Sequence, residues 1–429
     1  MNTMPIKPIV HPAKKNQVQP LRKHISVMAK SSMLAALIAM PMVLRGATAT
    51  ADFSNTKQTI RGYGAATVTW QGTILTSSFD VGYGTTSGSL AGSCGLSIAR
   101  IRIPPSTNSS DWASEVANGA AAKSRGATIM ATPWSPPASM KDNTNAVQGH
   151  LKASDYGNYA NNLVNFVNYC RNNGSTLYAV SVQNEPDITV TYESCLWSAT
   201  QLETFCANNM GVFGSTKVIM PESFHFDHSM SDATLNDSAA AANVDIIGGH
   251  IYGGGLASYP LATSLGKEVW MTEHLNSDTS ITGVIQTAQE ISDCMNIGGF
   301  NAYNWWYLQR DYGPVDTSGN RTKRGCVMAQ FARVIRPGAQ RVACTYNPNS
   351  NVYVTAYNNA GKAVVVAVNT GTSSVSQSFQ LANWTTVTSM SVWRTSSSED
   401  LATLASISPS GNAFTATLPA QSITTFYQP

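Results

Sequence analysis

Ser181–Asp187 reads SVQNEPD and closes an apolar run, Leu177–Val182, with the composition of a buried parallel strand. Pro186 ends that strand because it has no N–H to give to a ladder. The Glu185 carboxylate is left at the strand's C-terminal lip, where a barrel enzyme keeps its chemistry, with the Asn184 amide beside it to orient a hydroxyl. An isolated Asn-Glu-Pro has a plainer reading, an acid at a helix start. A second copy of the pattern weighs against it. Glu268–Glu273, EVWMTE, is another apolar strand ending in a carboxylate, 88 residues further on. Two strand-end glutamates suggest an acid and a nucleophile.

Working outward, strand-like runs occur at Gly62–Trp70, Leu96–Ile103, Thr128–Trp134, Leu177–Val182, Lys217–Ser223, Val244–Tyr252, Glu268–Glu273 and Ala302–Leu308. Amphipathic stretches separate them. In Asp155–Asn173, Tyr156, Tyr159, Ala160, Leu163, Phe166, Val167 and Cys170 recur at helical spacing, and Gly174 closes the helix. Eight strands alternating with helices across 62–336 predict an α/β fold, a (β/α)8 TIM barrel. A doubly wound open sheet is the runner-up, but Gly62-Tyr63-Gly64 lacks the third glycine of a nucleotide loop. After Arg336-Pro337-Gly338 the helical period gives way to short alternating runs at Val352–Tyr357, Lys362–Asn369, Thr385–Trp393 and Ser422–Tyr427. Residues 337–429 therefore read as a side β-sandwich. Residues 50–61 read as a strand with no barrel role, expected to return and join the sandwich.

Residues 1–49 read as a secretory signal peptide. Lys7, Lys14, Lys15, Arg22, Lys23, Lys30 and Arg45 precede or flank a 12-residue apolar run, Met33–Leu44, and no acid occurs before Asp52. The run is too short to span a bilayer. Ala47-Thr48-Ala49 and Ala49-Thr50-Ala51 both offer an A-x-A cleavage pattern. A secreted chain with no membrane association after cleavage is expected. Seven of the 27 basic residues lie in the leader, which leaves 20 against 24 acids. The basic balance of the whole chain thus says nothing of nucleic acid. With 12% charged residues, the surface suits an uncharged polymer. The seven cysteines form no dense framework and no C-x-x-C pattern. Most read as small buried hydrophobes, Cys195 and Cys206 being the closest pair. No metal, no cofactor and a monomer are expected.

The strand ends bring Trp70, Arg100, Trp134, Asn184, Glu185, Glu222, His250, Tyr252, Glu273, Trp305, Trp306 and Tyr307 to one face of the barrel. Two carboxylates among aromatics is the composition of a sugar site: indole faces stack on pyranose rings while polar groups read hydroxyls. A glycosidase needs one carboxyl protonated and the other ionised, and Arg100 is placed to hold the nucleophile ionised. No G-x-S-x-G motif appears, and His250 has no H-E-x-x-H partner, so acyl transfer and zinc hydrolysis are poor rivals. A non-catalytic carbohydrate-binding barrel is the rival from another class.

The motifs SVQNEPD (181–187), TPWSPPASMK (132–141), MPES (220–223), GGHIYG (248–253), EVWMTE (268–273), WWYLQRDYGP (305–314), KRGCVMAQFARVIRPG (323–338) and LPAQSITTF (418–426) resemble glycoside hydrolase family 30. They most resemble its bacterial xylanase subfamily, subfamily 8. The resemblance covers the chain beyond the leader. It implies a retaining endo-β-1,4-xylanase acting on xylan, with Glu185 as acid/base and Glu273 as nucleophile. Asn184, Trp134, Tyr252 and Trp306 would line the subsite under attack, Trp70 the glycone cleft, and Glu222 would be a supporting acid. Other specificities of the family, a β-glucosylceramidase or a β-1,6-glucanase, fit the loop after the eighth strand less well. Typical members of the subfamily hold a glucuronate branch with an arginine in the loop after the nucleophile strand. Here that loop reads HLNSDTSITG (274–283), and no Lys or Arg occurs from His274 to Gln309, although Arg310 and Tyr312 keep an R-x-Y-G-P pattern. The expectation is a xylanase without a strict glucuronate requirement.

Overall fold

The structure, a computed structural model, describes residues 46–84 and 92–429. The leader expected over 1–49 lies outside the described residues up to residue 45. Eight parallel strands close a barrel in chain order: β2 (Gly62–Ala66), β3 (Ile98–Ile103), β4 (Thr128–Pro133), β5 (Leu177–Ser181), β6 (Lys217–Ser223), β7 (Ile246–His250), β8 (Glu268–His274) and β9 (Ala302–Tyr307), with β1 (Ala49–Thr59) standing outside it. Their side chains alternate, so residues two apart share a face. Ile98, Met130, Ala179, Ile219, Ile246, Trp270 and Ala302 form one inward layer that plugs the barrel. Residues two and four further along each strand rise towards the C-terminal mouth. Gly64 lets β2 lie against β3, since a Cβ there would sit 2.0 Å from the Asn304 Oδ1 and 2.4 Å from the Ile98 carbonyl.

The second layer is one nine-stranded ladder. After β1 it comprises β10 (Gln340–Cys344), β11 (Val352–Asn359), β12 (Lys362–Asn369), β13 (Val375–Ala382), β14 (Met390–Thr395), β15 (Ala402–Ile407), β16 (Ala413–Leu418) and β17 (Ser422–Tyr427). The order is β15-β14-β17-β12-β11-β10-β1-β13-β16. The ladder curls so that its inner faces meet as a sandwich: Phe379 and Phe414 of the far strands pack on Phe426 of β17, centroids 5.2 and 5.1 Å apart. β1 runs antiparallel to β10 and parallel to β13, with Ala49 and Ala51 buried in the sandwich core. It begins one residue inside the expected leader. A cut at the Ala49-Thr50-Ala51 pattern would remove part of a paired strand.

The helix Lys323–Ala332 joins the two layers. Every residue from Arg324 to Ala332 is buried, as a helix enclosed on all sides requires. On its sandwich side Gln330 Nε2 donates to the Thr395 hydroxyl at 3.1 Å, and the Arg333 guanidinium lies 4.6 Å from the Trp393 ring centre. Six of the seven cysteines are buried and all are free, Cys195 and Cys206 included. Among the described residues no helix is long and apolar enough to cross a membrane.

Candidate active site

At the C-terminal mouth of the barrel lies a cavity of about 540 Å³ with Glu185 and Glu273 in its wall. The backbone at Glu185 adopts φ +45°, a left-handed conformation that an L side chain holds only under constraint, and its N–H donates to the Glu222 carbonyl at 2.9 Å. Glu273 needs a different device. Alternation from Trp270 would turn it out of the barrel, but the register between β7 and β8 slips, and His250 pairs with Glu273. The slip re-aims the carboxylate inward.

Arg100, two residues above the plug on β3, is fully buried and forks among the acids. Its Nη1 donates to Glu273 Oε2 in a short ion pair. Nη2 donates to Asn184 Oδ1 (2.7 Å) and Glu222 Oε1 (3.2 Å), and Nε to the Thr132 hydroxyl (3.2 Å). The other oxygen of Glu273 accepts from the Tyr252 hydroxyl at 3.0 Å. Glu185 is held differently. Its Oε1 meets His250 Nδ1 at 2.9 Å, and its Oε2 accepts from the Tyr192 hydroxyl at 3.0 Å.

These environments separate the two carboxyls. Burial pushes Glu273 above the ordinary glutamate range, against the opposing charges of His250 and Arg100. Burial acts on Glu185 the same way, but the His250 bond and charge, helped by Tyr192, outweigh it and bring Glu185 below that range. His250 moves in concert: burial disfavours its cation, yet the Glu273 and Glu185 carboxylates raise it. Glu185 and His250 thus form a hydrogen-bonded dyad next to a second carboxylate. One atom from each of Glu185, His250 and Glu273 lies within 4.8 Å of the others, a spacing a metal ion could use. The Arg100 cation on Glu273 and the two donors already on Glu185 make it an acid–base set instead.

Around the carboxyls the cavity is aromatic. Trp70, Trp134, Tyr252, Trp306 and Tyr307 line it. Trp134 is the hub, 5.1 Å from Trp70, 5.7 Å from Trp306, and 4.6 Å from the Arg100 guanidinium. A bulge in the β2–β9 register skips Trp306, so that Trp306 and its neighbour Tyr307 both reach the cleft. Five residues of the expected set lie outside the lining. Trp305 is fully buried and faces outward, under the Arg324 guanidinium at 4.7 Å, because the alternation that turns Asn304 inward turns Trp305 away. Arg100 and Asn184 do not line the cavity: Arg100 lies behind Glu273, and the Asn184 oxygen is committed to it. Arg310 and Tyr312 stand outside the lining too, Arg310 stacked 4.7 Å from the Tyr307 ring and donating to the Gln71 carbonyl at 2.6 Å. Glu222 and His250 sit behind the cavity wall. Sequence reasoning missed Tyr192, Phe224 and Leu275, which complete the lining. Phe224 follows directly on β6, and its strand-end position was the available signal.

The sandwich, residues 338–426, matches the family model described as the glycosyl hydrolase family 30 beta sandwich domain, and residues 98–310 match that of glycosyl hydrolase family 59. Whole-chain relatives decide between the two labels. The chain is 39% identical over 399 residues to glucuronoxylanase XynC of Bacillus subtilis strain 168, covering 90% of this chain and 92% of that protein. Among solved structures, the glycoside hydrolase family 30 subfamily 8 xylanase Xyn30A from Clostridium acetobutylicum superposes with a TM-score of 0.84 at 42% identity. That match covers 89% of this chain and 99% of the other. A family 30 endoxylanase from Clostridium papyrosolvens C71 gives 0.81 at 41% identity with the same coverage.

Proposed function

The chain belongs to glycoside hydrolase family 30, and from that premise we propose that it is a secreted, retaining endo-β-1,4-xylanase of the subfamily 8 kind. One observation supports the mechanism above the others: an oxygen of Glu185 and an oxygen of Glu273 lie within 4.8 Å of each other. Retaining glycosidases hold their carboxyls about 5–5.5 Å apart, whereas inverting enzymes leave about 6.5–9.5 Å for a water. Glu273, fixed by Arg100 and Tyr252, attacks the anomeric carbon as the glycosidic C–O bond breaks. The proton stored on the Glu185–His250 dyad passes through Glu185 to the leaving oxygen. The ionised Glu185 then takes a proton from water, whose oxygen displaces Glu273 and frees the sugar. The neutral aromatic wall suits an uncharged pyranose chain, and the names of the relatives just described favour xylan. Export is supported by the basic, then apolar, then small-residue order of 1–51.

Linear xylan is proposed as sufficient substrate, because the loop after β8 brings no Lys or Arg to the cleft. A second reading, dependence on a glucuronate branch, is favoured by Arg310. That guanidinium is half-buried at the cleft edge and has no acidic partner within 4 Å among the described residues. The experiment is proton NMR of the first products from linear xylohexaose and from glucuronoxylan. β-Anomers appearing first from both substrates support the proposal. α-Anomers first would overturn the mechanism, and turnover of glucuronoxylan alone would move the assignment to the second reading, with Arg310→Ala expected to abolish it.

A further inference from the structure

Tyr192 is a half-exposed aromatic, 45% accessible, whose ring stands in the cleft wall while its hydroxyl turns inward to Glu185 Oε2. With His250 on Oε1, the Glu185 carboxylate is held at both oxygens, so the plane of its lone pairs is set. Tyr192 belongs to an irregular segment between the Glu185 turn and the helix that starts at Ala199. A side chain on such a segment keeps its place only if the segment is fastened.

Three fastenings are present. Glu193 receives a two-pronged contact from Arg102: Nε donates to Oε2 at 2.9 Å, and Nη2 to Oε1 in a shorter bond. The Ser194 carbonyl accepts from the buried Lys141 Nζ at 2.6 Å, and its hydroxyl from the Gln148 N–H at 2.8 Å. Arg102 lies two residues above Arg100 on β3 and stacks 4.7 Å from the Trp70 ring centre. The pair therefore ties the Tyr192 segment to β3 and, through the stacked guanidinium, to Trp70 in the cleft wall.

We infer that Tyr192 is a positioning residue for the acid/base carboxyl, and that the Glu193–Arg102 pair is the clamp that holds it in register. The inference rests on the assignment of Glu185 proposed above. When Glu185 transfers its proton to the glycosidic oxygen, its O–H bond breaks and a carboxylate forms. The Tyr192 O–H donates to that carboxylate and holds it facing the water of the second step. Burial and the Glu185 charge both push the Tyr192 phenol well up, so it remains a donor across the working range.

The test compares linear xylohexaose, whose alkoxide leaving group needs a proton, with 2,4-dinitrophenyl β-xylobioside, whose leaving group does not. Tyr192→Phe should lose about 10-fold in kcat/KM on xylohexaose, most of it in kcat, and less than about 2-fold on the aryl substrate. The basic limb of its pH profile should move up, because a lost donor favours the protonated carboxyl. Glu193→Ala should show the same selective loss in weaker form. Equal losses on both substrates, or an unmoved basic limb, overturn the role of Tyr192. No selective loss in Glu193→Ala overturns the clamp. Glu185→Ala, run on the same pair, separates the premise: if it too loses equally on both substrates, the assignment of Glu185 fails first.

Discussion

Replacing Arg100 by Met tests the electrostatic frame of the site. The substitution keeps an unbranched side chain in the barrel and removes one buried cation facing Glu273 and Glu222. Among the described residues Glu222 Oε2 already has no hydrogen-bond partner, so the loss of the Oε1 contact strips that carboxylate of its buried cation. Breaking one side of a buried ion pair costs about 3–5 kcal/mol. For a chain of this size an unfolding entropy near 2.1 cal/mol/K per residue makes that a fall in Tm of roughly 3–6 °C at neutral pH. The loss must depend on pH. Burial already raises Glu273, and without the guanidinium it rises further. A carboxyl whose folded pKa exceeds its unfolded value near 4.3 carries no penalty below that value. The penalty grows as pH climbs through the window between the two. The Tm gap between parent and variant should therefore be wider at pH 8 than at pH 5, by differential scanning calorimetry in matched low-salt buffers. A gap that is constant, or wider at pH 5, would refute the reasoning.

Further outcomes follow from the same geometry. Glu273→Gln should abolish turnover while leaving xylan binding measurable by affinity electrophoresis, and Glu222→Gln, whose side chain is outside the cavity lining, should retain more activity than either Glu273→Gln or Glu185→Gln; equal loss would reverse the assigned roles. The acid limb of the kcat/KM profile should lie above the ordinary glutamate range, since the nucleophile must be ionised and burial raises it. Tyr252→Phe, by removing the donor at 3.0 Å, should move that limb higher still, and a downward shift would show that Glu273 does not set it.

The barrel was legible because its strands are apolar runs cut off by polar lips, and Lys217–Ser223 appears in the fold with the bounds read from sequence. The sandwich was half legible. Val375–Ala382 and Ala413–Leu418 mix Ser, Thr and Gln with few large apolar residues, so they read as loop until neighbours cover one face. In the site, Glu185 and Glu273 were visible as strand ends, but the orientation of each aromatic was not. Counting alternation back from Trp305 would have sent it outward. The bulge that brings Trp306 and Tyr307 together leaves no mark in the sequence. Tyr192 was hidden for a different reason: its place depends on Arg102, 90 residues earlier, and on contacts that local patterning does not encode.

The strand that opens the described chain has a consequence for the order in which the molecule is made. β1 finds its partners only in β10 and β13, and Asn383 reaches back to Asp52 across 331 positions. On a ribosome adding ~5–20 residues each second, β1 waits tens of seconds, unpaired, while the whole barrel is synthesised. Nothing made in that interval completes the sandwich, which waits for the strands that follow β9. The amino-terminal strand thus gains its first partner only after every barrel strand has been made, and a chain truncated before β10 leaves its first strand bare.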